Sequence, residues 1–92
     1  MKKRPAVVVS SAAYHRFSSD VILMAVTTRT WDVASGGEVA FRNWREAGLL
    51  RPSQLKPILT TLDRRLVVRT LGRLQAVDRA AVQRLLDQIL GD

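Results

Sequence analysis

The hydrophobic pattern begins with two β-branched runs. Pro5 leads into Ala6-Val7-Val8-Val9, and Val21-Ile22-Leu23-Met24-Ala25-Val26 follows a polar interval of about ten residues, long enough for an antiparallel return. A proline is tolerated at the first strand position, where no ladder donor is needed, so Arg4 stands at the mouth of the first strand. Both runs are apolar on both faces: Val7 and Val9 against Ala6 and Val8, then Ile22, Met24 and Val26 against Val21, Leu23 and Ala25. Such a sheet needs cover on both sides, part of it from a second copy of the chain. In the polar interval, Ala12-Ala13-Tyr14-His15-Arg16-Phe17 predicts one helical turn before Ser18-Ser19-Asp20 resets the direction.

Further along, residues 30–37 read as a loop closed by Ser35-Gly36-Gly37, and residues 38–42 alternate weakly as an edge or half-exposed strand. Residues 43–48 form a short helical turn stopped by Gly48. Residues 53–61 read as a strand that Pro57 confines to an edge or a bulge. Residues 63–69 predict a short helix leading to Gly72, with a turn entering a strand as the alternative. Val77, Ala81, Val82, Leu85, Leu86, Ile89 and Leu90 recur at three- and four-residue steps, with Asp78 in the first turn and Gly91 as the stop. The fold class expected is α+β and mainly β: one domain over residues 1–92, a small antiparallel sheet curled into a partial barrel with a C-terminal amphipathic helix.

Antiparallel pairing of the first two strands brings the start of one beside the end of the other. Arg4 and Thr27 then share a rim, a guanidinium next to a hydroxyl, which is a place to hold a phosphate. The net charge of +7 over 92 residues points to polyanionic or acidic partners. Lys2, Lys3, Arg16 and Arg29 would extend the rim into a phosphate track if the loops fold back, and Thr28 adjoins it. His15 is the one side chain whose ordinary pKa suits proton shuttling near pH 7, and Trp31 and Trp44 offer rings for base stacking. No cysteine and a single histidine give little material for a metal cluster, so neither metal nor cofactor is expected. No apolar run reaches the length of a membrane span, and a cytoplasmic protein is expected.

The order Lys3-Arg4-Pro5-Ala6-Val7-Val8-Val9-Ser10, then Tyr14 with Arg16, then Ser19-Asp20-Val21-Ile22 ending at Thr27, resembles the PemK/MazF family of toxins. Ala47-Gly48-Leu49-Leu50-Arg51-Pro52-Ser53, Leu66 to Arg69, and Leu71-Gly72-Arg73-Leu74 continue the likeness over nearly the whole chain. The resemblance implies an SH3-like barrel and a homodimeric, metal-independent endoribonuclease toxin. It also implies single-stranded RNA, mostly messenger, as substrate, and silencing by a cognate antitoxin whose acidic C-terminal segment covers the site. Carried over residue by residue, the catalytic pair is Arg4 and Thr27, with Lys2, Lys3, His15, Arg16, Thr28 and Arg29 as the RNA-binding set.

Members normally carry a further strand and loop before Lys-Arg-Pro, about twenty residues by usual element lengths, where this chain has Met1 and Lys2. They also tend to place an acidic residue and a glutamine where this chain has Pro57-Ile58, and an asparagine at His15. Two other readings therefore stand beside the nuclease: a non-catalytic dimerisation or antitoxin-binding module, and a small basic nucleic-acid-binding domain. In metal-independent cleavage the ribose 2′-OH attacks its own phosphate, and negative charge gathers on the non-bridging oxygens. A fixed arginine stabilises that charge, a role favoured over proton donation because its pKa exceeds about 12.

Overall fold

The computed structural model describes residues 3–28 and 39–91. Its strands are β1 (Ala6–Val8), β2 (Asp20–Thr27), β3 (Val39–Ala40) and β4 (Gln54–Asp63), in one antiparallel sheet of order β1-β2-β4-β3. Helix α1 (Ala12–His15) lies in the β1–β2 connection, and α2 (Ala76–Leu90) follows the last strand. The loop expected at residues 30–37 lies outside the described residues.

β1 and β2 pair as their valine-rich pattern requires, through Ala6↔Ala25, Val7↔Met24 and Val8↔Leu23. The Val9 amide donates to the Ile22 carbonyl at 2.9 Å, continuing the same register. Val7, Val9 and Val26 pack against the core that holds Met24, and the alternate residues Ala6 and Val8 face away and are exposed. One face of the sheet is thus covered within the chain, by α2 and by Phe41, Ala47 and Trp44, while on the other Val21 is buried but Ala6, Val8 and Ile58 remain exposed.

β4 is central rather than at an edge, and it accommodates Pro57 by bulging. Between Met24↔Leu59 and Val26↔Leu55, β2 advances two residues while β4 advances four. The surplus sits at Lys56-Pro57-Ile58, where a missing N–H costs no ladder bond. Because the surplus is even, Leu55 and Leu59 both still face the core.

The core is Met24, Phe41, Ala47 and Leu55 from the sheet side, with Ala81, Val82 and Leu85 from α2. The periodicity predicts a longer buried stripe than the helix uses, since Val77 is 43% and Leu90 73% exposed. Only the middle of α2 lies over the sheet, and its ends overhang. Asp78 is the exception near the N-terminal end, a carboxylate only 1% exposed. Its Oδ1 accepts from the Arg42 amide and its Oδ2 from the Asn43 amide, each at 2.8 Å. The charge is thereby satisfied and also sits favourably in the first turn of a helix. Asp78→Asn would keep one acceptor and set an NH₂ against the other amide, leaving a buried donor unpaired at a cost of about 1–3 kcal/mol. Thermal denaturation should show a drop of roughly 4–8 °C per kcal/mol. An unchanged midpoint would mean the carboxylate is not holding the 42–43 backbone.

The short helix expected at residues 63–69 is reduced to a 3₁₀ turn, Arg64–Leu66, after which residues 67–75 run without regular structure. The reason lies in two glycines. Gly48 has a φ of +86°, and a Cβ placed there would meet the Leu71 carbonyl oxygen at 2.1 Å. A Cβ on Gly72 would meet the Ala47 carbonyl group at 2.8 Å. The 71–72 backbone is therefore laid directly on the 44–48 turn, an approach that only an irregular segment without side-chain bulk permits. Asp63 caps the 3₁₀ turn, its carboxylate accepting from the Arg65 side chain at 2.8 and 3.1 Å and the Arg65 amide at 2.9 Å. The Arg65 side-chain bond, then the backbone bond, hold the Asp63 carboxyl below the ordinary aspartate range. The stabilisation this adds is present above the unfolded value and is lost as the pH falls through the folded one.

Candidate functional site

The geometry at one rim of the sheet follows from register alone. Carried two residues beyond Ala6↔Ala25, the β1–β2 register sets Arg4 opposite Thr27. Thr27 in turn pairs with Gln54 of β4, and Gln54 with Ala40 of β3. The result is a row across the whole sheet, Arg4, Thr27, Gln54, Ala40, at roughly 4.7–4.9 Å per strand. The flanking core residues Val26, Leu55 and Val39 take the opposite face, so the row looks away from α2. Arg4 is exposed and Thr27 half-buried. Among the described residues no carboxylate is paired with the Arg4 guanidinium. A guanidinium and a hydroxyl at this spacing can donate to two oxygens of a single phosphate.

Of the other residues singled out in the sequence, Lys3 and Thr28 flank this rim, both bordering the strand ends that carry Arg4 and Thr27. Lys2, Arg29 and Trp31 lie outside the described residues. His15 and Arg16 are not brought to the rim. They sit in the β1–β2 connection, which an antiparallel return places at the far end of the sheet, roughly 23 Å along β2 from Thr27 at about 3.3 Å per residue. There His15 Nε2 shares a 2.6 Å hydrogen bond with Ser10 Oγ, which also accepts from the Ile22 amide at 3.0 Å. Arg64 donates to the His15 and Ser18 carbonyls at 3.1 and 2.8 Å and pins the same connection. This end is built by internal bonds.

Trp44 packs against the core, with the Arg45 guanidinium 4.8 Å from its ring centroid. Together with Arg42, Asn43 and Glu46 they line a shallow polar depression beyond β3. Gln54 is the residue that sequence reasoning passes over: the pattern puts it in a strand, but its neighbour across the sheet depends on the two-residue surplus at Pro57.

A model of the PemK-like, MazF-like toxins of type II toxin–antitoxin systems matches residues 1–90. The chain belongs to this family. Solved structures agree on the fold. The Mycobacterium tuberculosis toxin MazF-mt6 is 19% identical, with 95% of this chain and 85% of that one aligned at a TM-score of 0.76. A mycobacterial endoribonuclease in complex with its cognate antitoxin is 21% identical, covering 96% and 81% at 0.79. A MazE–MazF complex from Deinococcus radiodurans is 26% identical, covering 97% and 86% at 0.76. No curated protein matches the chain. The four-stranded antiparallel half-barrel with its C-terminal helix is the MazF-like fold. In this PemK/MazF-family chain, no helix among the described residues is long and apolar enough to cross a membrane.

Proposed function

We propose that this PemK/MazF-family chain is a metal-independent, sequence-selective endoribonuclease that cuts single-stranded RNA, messenger RNA included, by attack of the ribose 2′-OH on the adjoining phosphate. The observation that supports this reading is the β1–β2 register, which, continued two residues past Ala6↔Ala25, would bring Arg4 opposite Thr27 at one rim of the sheet. Arg4 donates two parallel hydrogen bonds to the phosphate as charge gathers on it, and Thr27 adds a third. The net charge of +7 draws the polyanion in, with Lys3 beside Arg4. An antitoxin with an acidic C-terminal segment would occupy the same basic rim and silence it, as befits a family of toxin–antitoxin pairs.

A second copy of the chain would cover the outward face where Ala6, Val8 and Ile58 are exposed. Sedimentation at a mass near 10.3 kDa would remove that part of the proposal. The nuclease reading is tested by incubating the protein with single-stranded RNA in EDTA. Cleavage that leaves a 2′,3′-cyclic phosphate is expected, and intact RNA at high protein concentration would leave only binding of RNA or antitoxin.

A further inference from the structure

Gln54 lies in the same cross-sheet row as Thr27. It is directly opposite Thr27 on one side and Ala40 on the other, so it sits one strand beyond the hydroxyl and two beyond the guanidinium. Both immediate neighbours are short side chains, and the glutamine rises between them. The residue is half-buried and its amide makes no hydrogen bond to any described residue; since no buried side-chain polar atom is left unpaired among them, that amide is open to solvent and to a ligand. A carboxamide offers a donor beside an acceptor in one plane, the arrangement that meets a base edge with two parallel bonds, adenine N6 and N7 being the best match. In single-stranded RNA such edges are free to be read. Arg4 and Thr27 cannot supply this information, because contacts to phosphate position a strand without reading it.

We infer that Gln54 is a specificity-determining residue, reading the nucleobase that adjoins the phosphate held at the Arg4–Thr27 rim. This deepens the nuclease reading and rests on it for the identity of the ligand. Its position is set by this chain's own register: the row reaches β4 at Gln54, short of the Pro57 bulge.

The experiment compares the full chain with Gln54→Ala and Gln54→Glu on a randomised single-stranded RNA oligonucleotide. Cut ends are sequenced, and binding to four oligonucleotides that differ at one base is followed by fluorescence anisotropy. Loss of the amide should flatten the preference at one position beside the cut by roughly 5- to 150-fold, the discrimination a bidentate base contact confers, while the cyclic-phosphate product persists. Gln54→Glu, which can only accept, should move the preference toward bases that present a donor. A far-ultraviolet spectrum and melting curve like those of the unsubstituted chain establish that each variant is folded. Cleavage with an unchanged base preference in both folded variants overturns this inference and leaves the nuclease reading standing. Binding whose base preference vanishes in Gln54→Ala, with RNA left uncut by the unsubstituted chain, overturns the nuclease reading and keeps the inference. No base preference by either measurement overturns the inference.

Discussion

Replacing Arg4 by alanine is expected to lower RNA cleavage by roughly a hundred- to a thousand-fold, the usual loss when one preorganised donor to a developing oxyanion is removed. Arg4 is exposed two residues before the edge strand β1 and lies outside the core, so the fold should persist and the loss should appear in single-turnover rate rather than in melting temperature. Arg4→Lys sharpens the expectation. Lysine keeps the charge but delivers it as a point, without the planar fork that grips two oxygens at once, and should recover only part of the rate. Thr27→Val, which keeps the β-branched shape, should cost less, since Thr27 supplies one neutral donor where Arg4 supplies two charged ones. Equal cleavage by the unsubstituted chain and Arg4→Ala would refute the assignment of the rim.

Gly48→Ala is expected to be the most damaging substitution for stability, costing more than about 3 kcal/mol. Two effects add. A non-glycine residue at a φ of +86° is strained by roughly 1–2 kcal/mol. The new methyl would also lie 2.1 Å from the Leu71 carbonyl oxygen, a backbone atom that cannot rotate aside. Relief requires the 71–72 segment to lift away from the 44–48 turn, where Ala47, Trp44, Leu49 and Leu74 pack on the core. For a chain of 92 residues the whole folding free energy is of the order of 5–14 kcal/mol, so such a loss should be plain in urea denaturation. A midpoint within error of the unsubstituted chain would show that the two backbones are not held together. Gly91→Ala, by contrast, has nothing within 4 Å and serves as the control for positive φ alone.

Much of this architecture is legible in the residues because its signals are local. The valine runs of β1 and β2, the turn ended by Gly48, and α2 with Asp78 in its first turn and its stop at Gly91 follow from periodicity and punctuation. Pro57 signals an edge or a bulge, and the structure has the bulge. The interactions that escape a reading of the sequence are those whose partners are far apart along it. Asp78 reads as an ordinary first-turn acid until the amides of Arg42 and Asn43, 36 and 35 residues earlier, are brought to it. The 63–69 stretch has a helix-compatible composition, but Gly72 is committed to the backbone of Ala47, and the helix yields. At the rim, the pairing of Arg4 with Thr27 needs only one antiparallel return and is within reach of the sequence. Arg16 reads as a loop cation of that rim and His15 as a candidate to shuttle protons or touch RNA, yet a connection between antiparallel strands leaves from the opposite end.

The swelling in β4 has a consequence for how this sheet tolerates length change. Its two surplus residues amount to one full pleat repeat, so excising Pro57 with one neighbour would straighten the strand and leave inward and outward side chains as they are. Excising Pro57 alone leaves one surplus residue, and where the strand does not hold it as a one-residue bulge the alternation breaks. Either Leu59 and the rest of the strand beyond it must roll outward into water, or Leu55 must, and in the second case Gln54 turns into the interior and no longer stands beside Thr27. Insertions and deletions at this point of the chain should therefore be tolerated better in twos than singly.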